Sequence, residues 1–461
     1  MKAPLSDVES QLEHAVASFV RERRLPGASA GVVLGDELAW SLPHGFIERE
    51  TGVPAGEQTL YRIASITKTF TAAAVVVLRD EGRLHLDDPL VAHLPEFAAA
   101  TNPYGPIEEV TIRRLLTHES GLPVESPLFD WAGRGYPAMP DILASLGDVI
   151  LPVAPDSAFK YSNLGYQLLG ELVARLDETP YESFVLERLL RPLGMDSSTF
   201  APNDEQRGRA ARGHDARTFS DHLAPSVERS KATSADGGLY STVADLARWV
   251  SLQFRTDEEG AGEGRILSGR SLAEMHRPRR VLDASWTRAQ ALAWQVRRRG
   301  KEVVVGHSGG TFGFSSCVAF SSREPVGVVV LSNGTAPASS LALDLLGHAL
   351  EAVRSIRPGA AVLPAPVPDR YRALLGLYAW EDAGAWVRVE WRDGSLVLVW
   401  SEEDESMQPQ VLEPTDDPLR FIVRGGRETG EACVFRPASW GSIVGLTVRG
   451  WPLARLLPAS P

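Results

Sequence analysis

The chain has 461 residues, 44% of them apolar, with a formal net charge of -12 and a pI near 5.4. That length exceeds what one hydrophobic core usually supports, so a large domain with a smaller appendage is expected. The acidic balance disfavours nucleic acid or an anionic membrane as a partner and suits a neutral or cationic small molecule or short peptide, while two remote cysteines, Cys317 and Cys433, fit neither a disulfide framework nor a metal spacing.

The first residues, Met1-Lys2-Ala3-Pro4, carry no apolar signal segment, and no later run approaches the roughly 18 apolar residues of a membrane span. A cytoplasmic location is therefore expected, periplasmic or secreted only if a leader has been trimmed. Ser6 and Glu9 form a capping-box pattern, and Val8, Leu12, Ala15, Val16, Phe19 and Val20 recur at helical spacing, which predicts a helix over 7–23. Ala28 to Leu34 and Glu37 to Leu42 read as strands joined by the hairpin pair Gly35-Asp36. Residues 65–280 read mainly as helices between Pro- and Gly-containing loops. Strands return at Leu292 to Arg298, Glu302 to Gly306, Gly313 to Phe320 and Val326 to Leu331, followed by a helix over Ser339 to Arg354. Strands at both ends with helices between predict an α/β (α+β) fold, with an antiparallel sheet assembled from remote segments and a helical subdomain.

The Pro-rich stretch 358–368 predicts a linker after a first domain of residues 1–357. Beyond it, Trp386 to Trp391, a turn at Asp393-Gly394, Leu396 to Trp400, Phe421 to Arg424, Ala432 to Phe435 and Ile443 to Val448 predict a small all-β, lipocalin-like barrel over 369–461.

Candidate chemistry begins at Ser65-Ile66-Thr67-Lys68, ahead of the apolar run Ala72 to Leu78. A serine hydroxyl is a weak nucleophile without a base, and residues three apart on a helix share a face. Desolvation disfavours an ammonium, so a lysine buried beside the serine could take its proton. Only five lysines occur, Lys2, Lys68, Lys160, Lys231 and Lys301, which makes this one conspicuous. Ser157-Ala158-Phe159-Lys160 repeats the spacing but follows Pro155-Asp156 and precedes no long apolar run. Tyr161-Ser162-Asn163 comes next, ahead of an amphipathic helix over Leu164 to Leu176; the tyrosine could shuttle a proton and Asn163 could hydrogen-bond a substrate amide. As an isolated tripeptide it reads equally well as a half-buried helix start.

Gly306-His307-Ser308-Gly309-Gly310-Thr311 lies between two strand signals and also matches the Gly-x-Ser-x-Gly nucleophile elbow. The elbow needs a helix after its serine and an acid and a histidine on separate loops; here a strand signal follows, and Asp344 and His348 share one helix. His85 and His93 flank Asp87-Asp88 in no recognised metal pattern, and a solvated loop is the reading preferred there.

Together, Ser65-x-x-Lys68, Tyr161-x-Asn163 and His307-x-Gly309 resemble, in order and spacing, the motifs of class C β-lactamases and related penicillin-binding proteins, esterases and D-amino-acid peptidases. Leu115-Leu116-Thr117-His118-Glu119-Ser120-Gly121-Leu122, Leu190 to Met195 and Gly237 to Thr242 add to the resemblance, which spans about residues 7–350. It implies an acyl-enzyme on Ser65, proton transfer by Lys68 and Tyr161, and substrate binding by Asn163, His307, Ser308, Gly309 and Gly310. It also implies an oxyanion hole from the backbone N–H groups of Ser65 and Gly310, and a structural role for His118 beneath the site. Neither a metal nor a cofactor is implied, and a homo-oligomer is left open. The lactamases carry Lys-Thr-Gly where this chain has His307-Ser308-Gly309, which removes a permanent cation and moves weight from β-lactams to esters, amides or D-amino-acid peptides. A catalytically silent binding protein of the same fold is the competing expectation.

Overall fold

The computed structural model describes residues 5–129, 137–217, 220–223, 231–256, 266–300, 302–356, 367–380, 385–392, 394–400, 410–425, 428–439, 441–448 and 450–458. The chain divides into two units, Met1–Val353 and Arg354–Pro461. The expected linker falls almost entirely outside the described residues.

In the first unit, β1 (Gly27–Leu34), β2 (Glu37–Glu48) and β3 (Val53–Pro54) join β8 (Arg280–Val281), β9 (Arg288–Gln290), β10 (Gln295–Arg299), β11 (Glu302–Thr311), β12 (Phe314–Ser321) and β13 (Val326–Ser332). They form one antiparallel sheet in the order β3-β2-β1-β13-β12-β11-β10-β9-β8, so the first and last strands of the unit lie side by side at its centre. Two short pairs stand apart, β4 (Tyr61–Arg62) with β7 (Tyr240–Ser241) and β5 (His214–Arg217) with β6 (Ser220–Leu223).

Strand alternation sorts the apolar side chains onto two faces. Val32, Val328, Val330, Cys317 and Ala319 pack with the terminal helices α1 (Glu9–Glu22) and α12 (Ala338–Ile356). Val33, Val318, Phe320, Val329 and Leu331 face the helical region. That region holds α2 (Thr67–Asp80), α3 (Leu90–His93), α4 (Ile112–Leu116), α5 (Met139–Ala144), α6 (Asn163–Asp177), α7 (Tyr181–Val185), α8 (Asp204–Gly208), α9 (Ser234–Gly237), α10 (Val243–Leu252) and α11 (Gly269–His276). At its centre, α2 is buried at every position from Thr67 to Leu78. Its polar side chains are all accounted for: Thr67 donates to the Ala64 carbonyl, Thr69 accepts from Trp249 Nε1 at 3.0 Å, and Thr71 donates to the Ala235 carbonyl at 2.6 Å. Phe70 stacks on Trp249 with centroids 3.9 Å apart.

In the second unit, a single turn of helix, α13 (Asp369–Arg372), precedes a closed barrel. Its strands are β14 (Gly376–Trp380), β15 (Ala385–Arg392), β16 (Ser395–Trp400), β17 (Gln410–Pro414), β18 (Arg420–Arg424), β19 (Ala432–Pro437), β20 (Ile443–Val448) and β21 (Trp451–Pro458). Each pairs with the next, and β21 closes on β14. The interior is filled by Tyr378, Leu398, Phe421, Phe435 and Leu446 among others. The barrel expectation is met; β14, β17 and β21 had no clear sequence signal.

Three local readings need correction. The Ser6–Glu9 capping box does not form: α1 begins after Val8, and its first turn has no side-chain cap. Leu292 to Trp294 are not strand, because Ala293 sits at φ +63° and donates its N–H to Leu116, so β10 begins only at Gln295. In addition, β11 does not stop at Gly306 but runs on to Thr311.

Because each unit buries its own apolar cluster, residues 1–356 should fold without the barrel. Near-ultraviolet circular dichroism of that fragment should keep a cooperative thermal transition, and a molten spectrum would refute its independence.

Candidate active site

Ser65 lies in a 3₁₀ turn, Ala64–Ile66, that runs directly into α2. Ala64 holds φ +46°, a left-handed conformation that costs a residue with a Cβ about 1 kcal/mol or more, so packing must enforce it. Lys68, one turn on, is completely buried and donates to Ser65 Oγ at 3.2 Å, to Asn163 Oδ1 at 2.7 Å and to the Asp236 carbonyl at 2.6 Å. Tyr161 Oη donates to Ser65 Oγ at 2.9 Å. The sequence-nominated Ser65, Lys68, Tyr161 and Asn163 therefore share one hydrogen-bonded cluster, drawn from the starts of α2 and α6.

Tyr161 is held from below. Its ring lies 4.3 Å from that of His118, a fully buried residue at φ +58°. The Ser162 N–H donates to His118 Nδ1 at 3.1 Å, which assigns the ring proton to Nε2. Burial first, then the charge of Lys68, holds His118 well below the usual histidine range, so it is a neutral prop. Ser162 caps α6 by accepting from the Gly165 N–H, which sets the direction in which Tyr161 and Asn163 project.

On the opposite side runs β11. Its pairing with β10 ends at Gly306, so from His307 to Thr311 one edge has no strand partner among the described residues. The edge passes Ser65 closely: a methyl group at Gly309 would run into the Ile63 carbonyl and the Ser316 hydroxyl, whereas one at Gly310 would meet open space. His307 is buried, donates from Nδ1 to the Ser308 carbonyl at 2.7 Å, and is pushed down to about 3, by burial first and by Lys68 second. Alternation along β11 puts Ser308 on the other face, with Val304 and Gly306, where it lines a small cavity against Ser339 and Leu343 of α12. The structure thus joins Lys68, Tyr161 and Asn163 to Ser65 by hydrogen bonds, brings His307 within reach of the charge of Lys68 and Gly309 against the Ile63 carbonyl, and turns the Ser308 side chain away.

The decoys separate cleanly. Ser157 lies in an exposed turn with its hydroxyl on the Ala154 carbonyl, and both Ser157 and Lys160 stand outside α6, which begins only at Asn163. His93 pairs with Asp88 at 3.0 Å, Asp87 with Arg113 at 2.7 Å, and no metal-type cluster occurs among the described residues. After Ser308 comes strand β12, not the helix an elbow requires.

One residue of the site had no signal. Glu125 accepts from Asn163 Nδ2 at 2.6 Å, and burial raises its carboxyl to about 7 against the opposing effect of that hydrogen bond. The pattern Pro123-Val124-Glu125-Ser126-Pro127, a charge between two prolines, reads as an ordinary loop. The rest of the loop walls expected over 123–140 and 204–231 fall partly outside the described residues.

The β-lactamase family model matches residues 12–352. The chain belongs to the β-lactamase family. Among curated relatives, Protein flp of Staphylococcus aureus (strain MRSA252) is 26% identical over 328 residues, 71% of this chain and 63% of that one. Beta-lactamase-like protein 2 of Dictyostelium discoideum is 30% identical over 287 residues, 60% of this chain and 50% of that one. The chain thus spans less than two thirds of the length of these family members. Of solved structures, a class C β-lactamase superposes with TM-score 0.64 at 20% identity, covering 74% of this chain and 96% of that one. An octameric penicillin-binding protein homologue from Pyrococcus abyssi gives 0.62 at 24% identity, covering 97% of this chain and 99% of that one. At these identities the likeness is one of fold, and the second extends it over the barrel unit. No helix among the described residues is long and apolar enough to cross a membrane.

Gly309→Ala should displace β11 from Ser65 and lower turnover of any ester substrate by about a hundredfold or more, the usual result of misplacing reacting groups by an ångström. Gly310→Ala should fold normally. Equal activity of Gly309→Ala and the parent in a chromogenic ester assay would show that β11 does not need to approach so closely.

Acid should destabilise the family unit. His118, His276 (pushed down to about 4) and His307 are neutral when folded but take up protons near pH 6.5 when unfolded. Stability is then lost as pH falls from about 6.5 toward 4, by about 1.4 kcal/mol per pH unit for each histidine. Glu125, raised when folded, opposes this between about 7 and 4.5. Urea unfolding at pH 7 and pH 5 should show a net loss at pH 5, and His276→Gln should flatten the slope by one proton; an unchanged slope would sink the assignment.

Proposed function

We propose that the protein is a serine hydrolase that forms an acyl-enzyme at Ser65 on esters, amides or D-amino-acid peptides, with weak turnover of β-lactams. The observation that carries this reading is the convergence on Ser65 Oγ of Lys68 Nζ at 3.2 Å and Tyr161 Oη at 2.9 Å, beside an open strand edge.

In this reading Ser65 Oγ attacks the substrate carbonyl carbon while its proton passes to whichever of Lys68 and Tyr161 has already given up its own proton, as a neutral amine or a phenolate. The same pair returns a proton to the leaving alcohol or amine, then activates the water that frees the acyl group. The backbone N–H groups of Ser65 and Gly310 would receive the oxyanion, a contribution that often dominates such reactions. The N-terminus of α2 favours negative charge at Ser65. Asn163 and the β11 backbone at Gly309 and Gly310 would hold the substrate. A β-lactam presents a carboxylate, and neutral His307 offers it no cation, which supports esters and amides over lactams.

The structural neighbours include a β-lactamase/D-alanine carboxypeptidase from Pseudomonas syringae, which favours acyl transfer over a silent scaffold. The octameric homologue keeps a homo-oligomer open.

Ser65→Ala should lower kcat on a short-chain ester by on the order of 10⁵ to 10⁶, leaving only binding and oxyanion effects. Fluorophosphonate labelling with peptide mapping should place the adduct on Ser65. An adduct on Ser308, or undiminished turnover by Ser65→Ala, would overturn the assignment.

A further inference from the structure

A second opening lies in the first unit, at the end of the sheet away from Ser65. Ser316 of β12 donates to the Ile63 carbonyl beside the serine, while Ser321, which lines this opening, stands five residues on along the same strand, about 17 Å away at the usual strand rise. The opening has a volume of about 930 Å³ and is bounded by the end of α10, one side of α11 and the turns β1–β2 and β12–β13.

Four arginines line it from separate segments: Arg255 after α10, Arg270 in the first turn of α11, Arg277 after its last turn, and Arg323 between β12 and β13. The carboxylates that line it are two, Asp36 and Glu324, and Glu324 accepts from the Ser321 hydroxyl at 2.9 Å. Arg270 and Glu324 have interactions of their own, whereas Arg255, Arg277 and Arg323 are exposed and make no ion pair or side-chain hydrogen bond among the described residues. Several arginines elsewhere in the unit hold carboxylates, as Arg113 holds Asp87, Arg175 holds Glu96 and Arg188 holds Glu81. In a chain of net charge -12, three guanidiniums without acidic partners around one opening are a local excess of positive charge.

A space of this volume is roughly 10 Å across, about one Debye length at 0.1 M salt, so the arginines are only partly screened from one another. An anion between them relieves that repulsion and offers each guanidinium a charge-assisted, bidentate hydrogen bond. The other polar side chains do not compete for it: Gln253 and His276 bond to each other at 3.0 Å, and burial pushes His276 down to about 4, leaving it neutral. Because the three free arginines come from different sides, a ligand with one charged group meets only part of the set.

We propose that this opening binds a small polyanion, a molecule carrying two or more phosphate or carboxylate groups, held by Arg255, Arg277 and Arg323. The site is separate from the serine cluster and does not rest on the hydrolase reading.

Isothermal titration calorimetry of the full chain at pH 7 and constant ionic strength tests it, with pyrophosphate and citrate as the polyanions and acetate as the singly charged control. At least one polyanion should bind, tenfold or more tighter than acetate; the tighter of the two tells whether the site suits phosphate or carboxylate groups. Arg277→Gln should weaken that binding about tenfold, and Arg255→Gln, Arg277→Gln and Arg323→Gln together should abolish it. These side chains are exposed, so an unchanged thermal transition should verify that the variants fold. Arg207→Gln, an exposed position on α8 away from the opening, should bind as the parent does. No heat with either polyanion, acetate binding equally well, or binding that survives the triple substitution overturns the proposal.

Discussion

The buried ammonium of Lys68 is the constraint on which the site depends. An unpaired charge in a protein interior costs several kcal/mol, so a lysine with no exposed surface must find acceptors for all three of its protons. Those acceptors come from three elements distant in sequence: Ser65 at the start of α2, Asn163 at the start of α6 and the Asp236 carbonyl in α9. Satisfying one cation therefore docks three helices and fixes the serine at their junction. The threonines of α2 follow the same logic at lower stakes, since their buried hydroxyls join α2 to other segments, Thr67 to Leu239, Thr69 to α10 and Thr71 to α9.

The sheet contributes in a different way, by what it leaves open. The left-handed turn at Ala293 delays β10, and the delay frees the edge of β11 from His307 onward. A strand edge is ordinarily a hazard, but here it faces the serine and is short. Gly309 lets it approach the Ile63 carbonyl closely, and Ser316 of β12 donates to that same carbonyl at 2.7 Å, so the turn holding Ser65 is clamped against the sheet.

Much of this was legible in the sequence because it rests on local patterns. An apolar run with no polar face announces a helix buried on all sides, and Ser65 and Lys68 at its start inherit that burial. The barrel strands with clean alternation, such as Leu396 to Trp400, were readable; β17 ends at Pro414 and β21 carries Pro452 and Pro458, which mask the pattern. The Ser6–Glu9 capping box was a matching spacing without the geometry, since α1 starts two residues too late for Ser6 to cap it. Glu125 was invisible for another reason. A glutamate in a proline-flanked loop is ordinarily solvated, and only hydrogen bonds between residues 38 to 40 positions apart press it against Asn163. The signal is long-range, and a single sequence does not display it.

The same long-range assembly sets the charge of the pocket. His118 and His307 are the residues that a reader of the sequence would count as half-charged near neutral pH, yet burial beside Lys68 keeps both neutral. Protonating either would place a second cation in a low-dielectric site already holding one, at a cost their few hydrogen bonds do not offset. With the imidazoles silent, Lys68 is the cation of the site, and its three N–H groups are spent on protein acceptors. A substrate anion would have to displace one of the acceptors of Lys68 to gain a partner, loosening the helix junction that positions Ser65.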